Sequence, residues 1–445
     1  MRYYSTRGTV SAGFAQAALL GLAEDGGLYI PADLPRYRGA VKNSLADMSL
    51  REIAFETIKP FVEGDIEDAA LETLVEDAFS FKAPLVNGGK FGVVELFHGP
   101  TAAFKDFGAR FMARSFAYLR RGEQRPLTIL VATSGDTGGA VADGFFNVEG
   151  ISVVILYPAG RVSELQKKQI AGLGGNVSAL EVDGSFDDCQ ALVKAAFRDS
   201  ALKEKELSSA NSINIARLIP QAVYYSAAAG RALSGKTDPD EEATPRSFLP
   251  GGNAGLEAGK KITLAVPSGN FGNLTAGLYA RAMGAPISGF IAATNINKTI
   301  PAYLENGEYK AQVSKATISN AMDVGAPSNF ERMNAHWNLS ELRSLIRGIS
   351  IDDDQTRAVI GAVHKAHGYF LDPHSAVGWA ALEKLRPSGP QAVLATAHPA
   401  KFSAVVEPLT GTVPVPESIK NAMSRRASVK NIPNSLDALR EFLLS

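Results

Sequence analysis

Residues 261–284 read KITLAVPSGNFGNLTAGLYARAMG and contain three consecutive signals. The apolar run KITLAVP has no polar alternation, which favours a strand covered on both faces. A glycine-bearing loop, SGNFGN, comes next, and the periodic apolar residues after it predict an amphipathic helix. The order strand, loop, helix is typical of an α/β architecture with a parallel sheet.

The same pattern recurs along the chain. Five further apolar runs are each followed by a polar loop or helical pattern: LTILVAT (127–133), ISVVILYP (151–158), NVSALEV (176–182), ISGFIAAT (287–294) and QAVLATA (391–397). In such folds, ligands bind at the carboxyl ends of the strands. The loops that follow these runs are therefore the first places to look for a site.

The chain divides into predicted regions by composition. Residues 11–85 favour helices; the segment FAQAALLGLAEDGGLYIP, for example, spaces Phe14, Ala18 and Leu22 four residues apart. We predict a mainly helical domain over residues 1–92 and an α/β region over 93–235. A loop or insertion rich in Gly, Pro and acids follows over 236–260, and a second α/β region spans 261–445.

Composition narrows the classes of function. The 445 residues are 45% hydrophobic and 20% charged, which is typical of a globular protein. A net charge of -1 gives no electrostatic reason for nucleic acid or an anionic membrane as partner, so a small molecule is expected. The first residues lack the apolar core of a signal peptide, and no apolar run is long enough for a membrane helix. A cytoplasmic location is the simplest expectation.

Cysteine and histidine usage gives little support for a disulfide or a metal. Cys189 is the only cysteine, so no intrachain disulfide can form. The stretch HKAHGYFLDPHSA invites a metal-site interpretation through His364 and His367, with Asp372 and His374 beyond. Gly368 interrupts the helix there, and histidines are common at helix ends, so we predict no metal site.

Two loops have the composition of anion sites. In TSGDTGGAVADGF (133–145), glycines and hydroxyls lie where a strand turns into a helix, so backbone N–H groups would converge on a carboxylate or phosphate. A tight turn with Thr137 near the N-cap is the alternative. In SGNFGN (268–273), Gly269 and Gly272 with the amides near Asn270 and Asn273 would cradle a phosphate. Neither loop matches a dinucleotide fingerprint or a P-loop.

A polar cluster and an isolated lysine complete the set of candidates. SANSINIARLIPQ places Asn211, Ser212, Asn214 and Arg217 within two helical turns, which suits a phosphate, although a polar helix start with a surface arginine is the alternative. In ELFHGPTAAFKDFGARFMA (95–113), Lys105 lies between aromatic residues before a predicted helix. A desolvated lysine can form a Schiff base with a carbonyl group, whereas pairing with Asp106 or reaching solvent would be the ordinary outcome.

These motifs, in this order, resemble the threonine synthase family of pyridoxal-phosphate enzymes of fold type II. The resemblance covers nearly the whole chain and rests on seven stretches: FAQAALLGLAEDGGLYIP, HGPTAAFKDFGARFM, TSGDTGGAV, SANSINIARL, VPSGNFGNLTAG, NAMDVGAPSN and TAHPAKF. It points to the bacterial and fungal branch with a long N-terminal domain. The implied fold is like that of the tryptophan synthase β chain, with two α/β domains, parallel-rich sheets and the helical N-terminal domain.

The resemblance implies pyridoxal phosphate as cofactor and assigns roles to residues. Lys105 matches the lysine that holds the cofactor through an imine, and Thr396 the hydroxyl that faces the pyridine nitrogen. Asp136 stands where many relatives have the asparagine beside the cofactor's 3'-oxygen. The implied cofactor-phosphate contacts are Ser268, Gly269, Asn270, Phe271, Gly272 and Asn273. The implied substrate contacts are Thr133, Ser134 and Thr137 for the α-carboxylate, and Asn211, Ser212 and Arg217 for the substrate phosphate.

The implied activity is a lyase reaction, the last step of threonine biosynthesis: O-phospho-L-homoserine and water give L-threonine and phosphate. A phospho-lyase that gives 2-oxobutyrate, ammonia and phosphate would share these motifs, and a silent phosphometabolite-binding protein is the alternative of another class. We expect a monomer or a small homo-oligomer. The roles of His98 and Cys189 stay open at this level.

Overall fold

A computed structural model of the chain describes residues 1–236, 238–239 and 260–445. The strands are β1 (Tyr3–Ser5), β2 (Ser11–Ala12), β3 (Tyr29–Pro31), β4 (Leu85–Asn87), β5 (Gly92–Glu95), β6 (Leu127–Ala132), β7 (Ile151–Pro158), β8 (Val177–Asp183), β9 (Glu206–Ser208), β10 (Ile262–Pro267), β11 (Ile287–Thr294), β12 (Ile346–Ser350), β13 (Gln391–Ala395) and β14 (Lys430–Pro433).

The helices are α1 (Phe14–Leu20), α2 (Gly39–Ser44), α3 (Leu50–Val62), α4 (Asp68–Ala78), α5 (Lys105–Leu119), α6 (Asp136–Phe145), α7 (Glu164–Ala171), α8 (Phe186–Ala196), α9 (Ile215–Leu218), α10 (Ala222–Ser234), α11 (Gly272–Met283), α12 (Thr299–Asn306), α13 (Phe330–His336), α14 (Leu339–Leu345), α15 (Asp353–His367), α16 (Pro373–Leu385), α17 (Ser403–Thr410), α18 (Glu417–Ser424) and α19 (Leu436–Leu444). Short 3₁₀ turns lie at Ser200–Leu202, Ile219–Gln221, Asn320–Met322 and Pro399–Phe402.

All six strands predicted from apolar runs are confirmed, as β6, β7, β8, β10, β11 and β13. Every residue of β10 is buried, as expected for a strand covered on both faces. The predicted loop or insertion at 236–260 falls almost wholly outside the described residues.

The strands form two parallel-rich sheets, which confirms the predicted fold class. A five-stranded sheet has the order β14-β8-β7-β6-β9 and is parallel throughout. A six-stranded sheet has the order β12-β11-β10-β13-β5-β4, in which only the edge strand β4 runs antiparallel. Because β13 lies between β10 and β5, the carboxyl ends of all three strands meet at one edge.

The sheets do not follow the predicted chain ranges. β5 begins at Gly92 and pairs with β13, while β14, near the other end of the chain, pairs with β8. The predicted domain limits therefore stay a prediction, and each sheet takes a strand from a distant part of the sequence.

The N-terminal region is mainly helical, but it also contains a small antiparallel sheet of order β2-β1-β3 that periodicity did not reveal. The helix predicted to include Leu22 ends at Leu20, and Leu22 is exposed because the chain turns at Gly21, whose φ is 74°. A residue with positive φ ends a helix, and glycine adopts that conformation at little cost.

Helix α5 is packed into the core, which fixes its first residue. The ring of Phe107 lies 4.7 Å from that of Phe81 and 5.3 Å from that of Tyr224, both measured between centroids. Phe111, Met112 and Phe116 are also buried, as predicted, whereas Leu119 at the end of the helix is half-buried. This packing anchors α5 so that its amino end is held against the carboxyl end of β13.

None of the helices in the described part of the chain is long and apolar enough to cross a bilayer.

Candidate active site

Lys105 is the first residue of α5 and lies beside the carboxyl end of β13. The N–H of Phe104 donates to the carbonyl of Thr396 at 2.9 Å, and the N–H of His398 donates to the carbonyl of Ala102 at 3.0 Å. Ala103 and Ala397 form an isolated antiparallel bridge between the same two segments. The stretch HGPTAAF is therefore hydrogen-bonded to the stretch TAH. This pairing places Lys105 close to Thr396, as the resemblance implies.

Lys105 is half-buried, and its ammonium forms no ion pair in the described part of the chain. Its pKa is lowered from the ordinary 10.5 to about 8, mainly because burial disfavours the charged form. The Asp136 carboxylate favours the charged form, whereas the Lys401 and Arg217 cations disfavour it. A lysine of this kind is a candidate nucleophile.

Asp106 does not pair with Lys105, so that part of the ordinary alternative for this lysine is wrong. The Asp106 carboxylate turns back and accepts hydrogen bonds from the Thr101 N–H at 2.9 Å and the Thr101 hydroxyl at 2.5 Å. Burial raises the pKa of Asp106 to about 6 despite these bonds. Its role is to fold the turn before α5.

Asp136 is the first residue of α6 and belongs to the segment of residues 133–137, here called the carboxylate loop. Its Oδ1 lies 2.9 Å from the Lys401 ammonium and accepts a hydrogen bond from Gln166 at 3.1 Å. Burial on its own would raise the pKa of Asp136, but the Lys401 and Lys105 cations outweigh burial and hold it well below its usual range. Asp136 is thus an anion between two lysines.

The hydroxyls of the carboxylate loop divide into two kinds. The Thr133 hydroxyl accepts from the N–H groups of Gly135 and Gly138 at 3.0 and 2.9 Å, so it holds the turn together. The Ser134 and Thr137 hydroxyls are half-buried and make no hydrogen bond within the described residues. The N-cap is Gly135, at φ 143°, so Thr137 is near the N-cap, as the second residue of the helix.

The loop of residues 268–273, here called the phosphate loop, follows β10 and enters α11. Asn273 braces it: its amide donates to the carbonyl of Pro267 at 2.9 Å, and its Oδ1 accepts from the Ser268 hydroxyl at 3.0 Å. Phe271 adopts a left-handed conformation with φ 60°. A Cβ added at Gly269 would lie 2.8 Å from the carbonyl oxygen of Ala321 and from the Cα of Met322, so only glycine lets the loop approach that backbone.

The third predicted segment, residues 211–217, here called the arginine segment, joins the phosphate loop. The Asn270 amide donates to the Ser212 hydroxyl at 2.6 Å. Asn214 is structural, since its amide donates to the carbonyls of Ala18 and Ser209. The Asn211 Oδ1, in contrast, is buried without a partner among the described residues.

Arg217 is buried beneath α5, not on the surface. Its carbonyl would lie 2.6 Å from a Cβ added at Gly108, so that glycine permits the close contact. The guanidinium donates to the carbonyl of Ala210, while its Nε is buried without a partner. Burial lowers the pKa of Arg217 to about 10. An unpaired buried guanidinium is costly, and an anionic ligand would remove that cost.

The residues around Lys105 fit an aldehyde cofactor that carries a phosphate. The Lys105 amine, whose pKa is lowered, supplies the imine-forming group. The phosphate loop, in which Gly269 lies too close to the backbone of Ala321 and Met322 to carry a Cβ, supplies N–H groups that suit a phosphate. Thr396 is largely buried, yet its hydroxyl has no hydrogen-bond partner among the described residues, so it is free to face a ring.

Sequence reasoning missed several residues of the site. Lys401, Gln166, Gln169 and Thr101 form one buried network: the Lys401 ammonium and the Gln169 amide both donate to the Thr101 carbonyl, at 2.8 and 3.1 Å. The sequence did indicate Lys401, because the stretch TAHPAKF places a lysine just after a buried strand. Gln166 and Gln169 gave no such signal, because they belong to α7, which has an ordinary polar sequence.

The other residues left open lie outside this network. His98 Nε2 is 2.8 Å from Glu95 Oε2, and Glu95 also accepts from the Tyr369 hydroxyl. Burial raises the pKa of the Cys189 thiol to about 12, as expected for a structural cysteine. Both ring nitrogens of His374 are hydrogen-bonded, to Asp372 and to the N–H of Ala321. Within the described ranges no group of three or more His, Cys, Asp or Glu side chains is placed to hold a metal.

Comparison with known proteins gives three family matches that together span most of the chain. Residues 87–397 match the family described as pyridoxal-phosphate dependent enzyme. Residues 2–79 match the family described as threonine synthase N terminus, and residues 375–443 the one described as threonine synthase, C-terminal.

Whole-chain relatives agree with these matches. The chain is 40% identical over 441 residues to a threonine synthase of Escherichia coli, which covers 97% of this chain and 96% of the relative. The crystal structure of threonine synthase from Escherichia coli superposes with a TM-score of 0.87 at 38% identity, covering 100% of this chain and 99% of that one. A structure of PLP-bound threonine synthase from Brucella melitensis gives a TM-score of 0.88 at 36% identity, with coverage of 100% and 98%.

Proposed function

The chain belongs to the threonine synthase family of pyridoxal-phosphate enzymes, and we propose that it converts O-phospho-L-homoserine and water to L-threonine and phosphate. It is a lyase that uses pyridoxal phosphate and acts on a small molecule. The roles of the individual site residues belong to the same proposal.

One observation supports this proposal most strongly: the half-buried Lys105 amine, with its lowered pKa, is subject to the charges of Asp136 in the carboxylate loop and Arg217 in the arginine segment. A protein that only binds a phosphorylated metabolite needs an anion pocket, but it does not need an imine-forming amine. The combination of amine and anion pocket favours an enzyme.

Lys105 would hold the cofactor covalently, with the phosphate loop around the cofactor phosphate. The Thr396 hydroxyl would face the pyridine nitrogen, and a neutral hydroxyl there does not protonate that nitrogen as a carboxylic acid would. Pyridoxal phosphate bound in this way supplies an electron sink for negative charge that develops on the substrate carbons. The negatively charged Asp136 carboxylate would lie beside the bound cofactor.

The substrate would lie between the carboxylate loop and the arginine segment. The free hydroxyls of Ser134 and Thr137 and the N–H groups at the start of α6 suit the substrate α-carboxylate. Arg217, with Asn211 and Ser212, suits the substrate phosphate, both before it leaves and as it leaves. Binding at both ends orients the carbon chain between them.

Lys105 would also move the protons of the reaction. Once the substrate amine has displaced it, the free Lys105 amine removes the proton at the α-carbon and then one at the β-carbon. Phosphate would depart from the γ-carbon towards Arg217. A proton would then return to the γ-carbon, water would add at the β-carbon, and a last proton would return to the α-carbon before threonine is released. A burial-lowered pKa keeps the amine able to accept these protons near neutral pH.

NMR analysis of the products tests the proposal. Purified protein is incubated with O-phospho-L-homoserine and pyridoxal phosphate, and we expect threonine with an equal amount of phosphate. Formation of 2-oxobutyrate, ammonia and phosphate would overturn it in favour of a phospho-lyase. Binding without turnover, in a sample that shows the near-visible absorbance of lysine-bound cofactor, would exclude this substrate.

A further inference from the structure

Lys401 is a fully buried lysine that the proposed function does not use. It lies in the 3₁₀ turn Pro399–Phe402, six residues beyond the end of β13, and its side chain has no measurable exposure. Its ammonium is 2.9 Å from Asp136 Oδ1 and donates to the Thr101 carbonyl at 2.8 Å. Since a buried charge without a partner is strongly destabilising, Lys401 and Asp136 depend on each other.

The two oxygens of Asp136 have different surroundings. Oδ1 pairs with the Lys401 ammonium and accepts a hydrogen bond from the Gln166 amide, whereas Oδ2 makes no hydrogen bond within the described residues. Lys401 itself cannot touch a ligand in the site, because it is completely enclosed. Its influence on the reacting groups is therefore exerted through Asp136 and through its own charge.

We propose that Lys401 is a positioning residue that neutralises the Asp136 carboxylate, so that this carboxylate does not hold the Lys105 amine as an ammonium ion. The inference rests on Lys105 as the reactive amine of the proposed function. It assigns a task to a residue whose side chain is fully enclosed.

The charges that face Lys105 support this assignment. They come from Asp136 of α6, Lys401 of the 3₁₀ turn and Arg217 of α9, whereas the adjacent Asp106 carboxylate is turned back to Thr101. Of these, Asp136 is the one whose attraction raises the pKa of Lys105, and Lys401 acts in the opposite direction. Without Lys401, a buried carboxylate and a buried amine would share a site with little solvent, and an ion pair between them would keep the proton on Lys105.

Competitive reductive methylation of the full-length, cofactor-free chain measures this directly. Formaldehyde and a borohydride label only neutral amines, and the extent of labelling at Lys105 is read from its peptide by mass spectrometry between pH 6 and 11. For the unchanged chain we expect a labelling midpoint near pH 8. For Lys401→Met we expect it to rise by about 1 unit or more, because the unopposed Asp136 then favours the ammonium.

Two further variants make the test independent of how well Lys401→Met folds. Asp136→Asn should lower the Lys105 midpoint by about 1 unit, since two cations then face the amine with no anion between them. Asp136→Asn combined with Lys401→Met removes both charges and should return the midpoint to within about 0.5 unit of the unchanged chain. Exposed Lys203 serves as an internal control whose labelling profile stays the same.

A midpoint that does not move in folded Lys401→Met overturns the proposal. If that variant does not fold, a midpoint in Asp136→Asn that is not lowered overturns it instead. The labelling needs no substrate and no turnover, so its result stands apart from the product analysis. A chain that makes no threonine can still show the charge compensation, and an active chain can still lack it.

Discussion

Lys105 owes its properties to where the chain places it, because an exposed lysine with the same neighbours in sequence would stay charged. Helix α5 holds it at the end of β13, burial lowers its pKa to about 8, and Asp106 is kept away by Thr101. The three effects together leave an amine that is available at neutral pH.

Replacing Lys105 tests its role most simply. Lys105→Ala should reduce turnover by at least about 1,000-fold, because imine exchange and proton transfer use the same amine. Phosphate release from O-phospho-L-homoserine is the measurement. Lys105→Arg is the matched control: it keeps a cation but cannot form an imine, so it should be equally inactive. Activity in either variant close to that of the unchanged chain would remove Lys105 from the mechanism.

The lowered pKa of Lys105 predicts the pH dependence of cofactor uptake. Only the neutral amine reacts with an aldehyde, so the rate at which the cofactor-free chain takes up pyridoxal phosphate should rise with pH and level off above about 8. Stopped-flow absorbance gives this profile. An ordinary lysine would give a midpoint near 10.5, and such a profile would show that burial does not lower the pKa of Lys105.

Arg217 should matter for the substrate and much less for the cofactor. Arg217→Ala should lower kcat/KM by about 2 to 4 orders of magnitude, on the scale of losing one key electrostatic group. Arg217→Lys keeps the charge but loses the planar fork, so its loss should be smaller yet still clear. Steady-state kinetics with both variants provides the comparison. Unchanged kcat/KM in Arg217→Ala would place the phosphate pocket elsewhere.

At the level of elements, strands were easier to predict than contacts between loops. Continuous apolar runs identified the central strands, because burial on both faces leaves a direct mark on composition. The small sheet formed by β1 to β3 could not be recognised in this way, because strands of two or three residues are too short to show any periodicity. The ion pair between Lys401 and Asp136 was not predicted either, because it joins segments far apart in sequence and depends on the packing of the whole site.

The phosphate loop makes a prediction at this scale. Gly269→Ala should weaken pyridoxal phosphate binding by at least about tenfold, or about 1.4 kcal/mol, because the new Cβ would meet fixed backbone at Ala321 and Met322. Equilibrium titration of the cofactor-free chain measures the dissociation constant.

Gly361→Ala in α15 is the matched control for that substitution. Its Cβ would meet nothing closer than 3.6 Å, and alanine favours a helix, so binding should not change and stability should rise by about 0.5 to 1 kcal/mol. Equal dissociation constants for the two alanine variants would mean that the loop does not approach the cofactor closely.

Across the whole molecule, α13 connects the N-terminal region to the site. Arg332 is completely buried and donates to the carbonyl of Tyr29 at 3.0 Å, to Asn329 at 2.7 Å and to the carbonyl of Ile213. Its neighbour Glu331 pairs with Arg7 at 2.9 Å on the surface. One helix thus binds the N-terminal sheet and the arginine segment at once.

These two arginines make a matched pair for a stability test. Arg332→Met should lower the melting temperature by about 3 °C, because the buried carbonyls lose their donors at a cost of about 3 kcal/mol. Arg7→Met should lower it by less than about 1 °C, since the Arg7 side chain is 55% exposed and such pairs contribute little. Scanning calorimetry of both variants decides between them. Equal shifts would show that burial of Arg332 adds nothing to the connection.

The crossed strand order has a consequence for how the protein is made. The N-terminal half of a chain emerges from the ribosome first and can begin to fold first. However, Gly92 of β5 pairs with Ala392 of β13, and Leu180 of β8 pairs with Lys430 of β14. A nascent chain that ends before residue 390 therefore has neither sheet complete, and one that ends before residue 430 still exposes the edge of β8. Co-translational folding can prepare the helices and the central strands, but each sheet is complete only after β13 or β14 has been made.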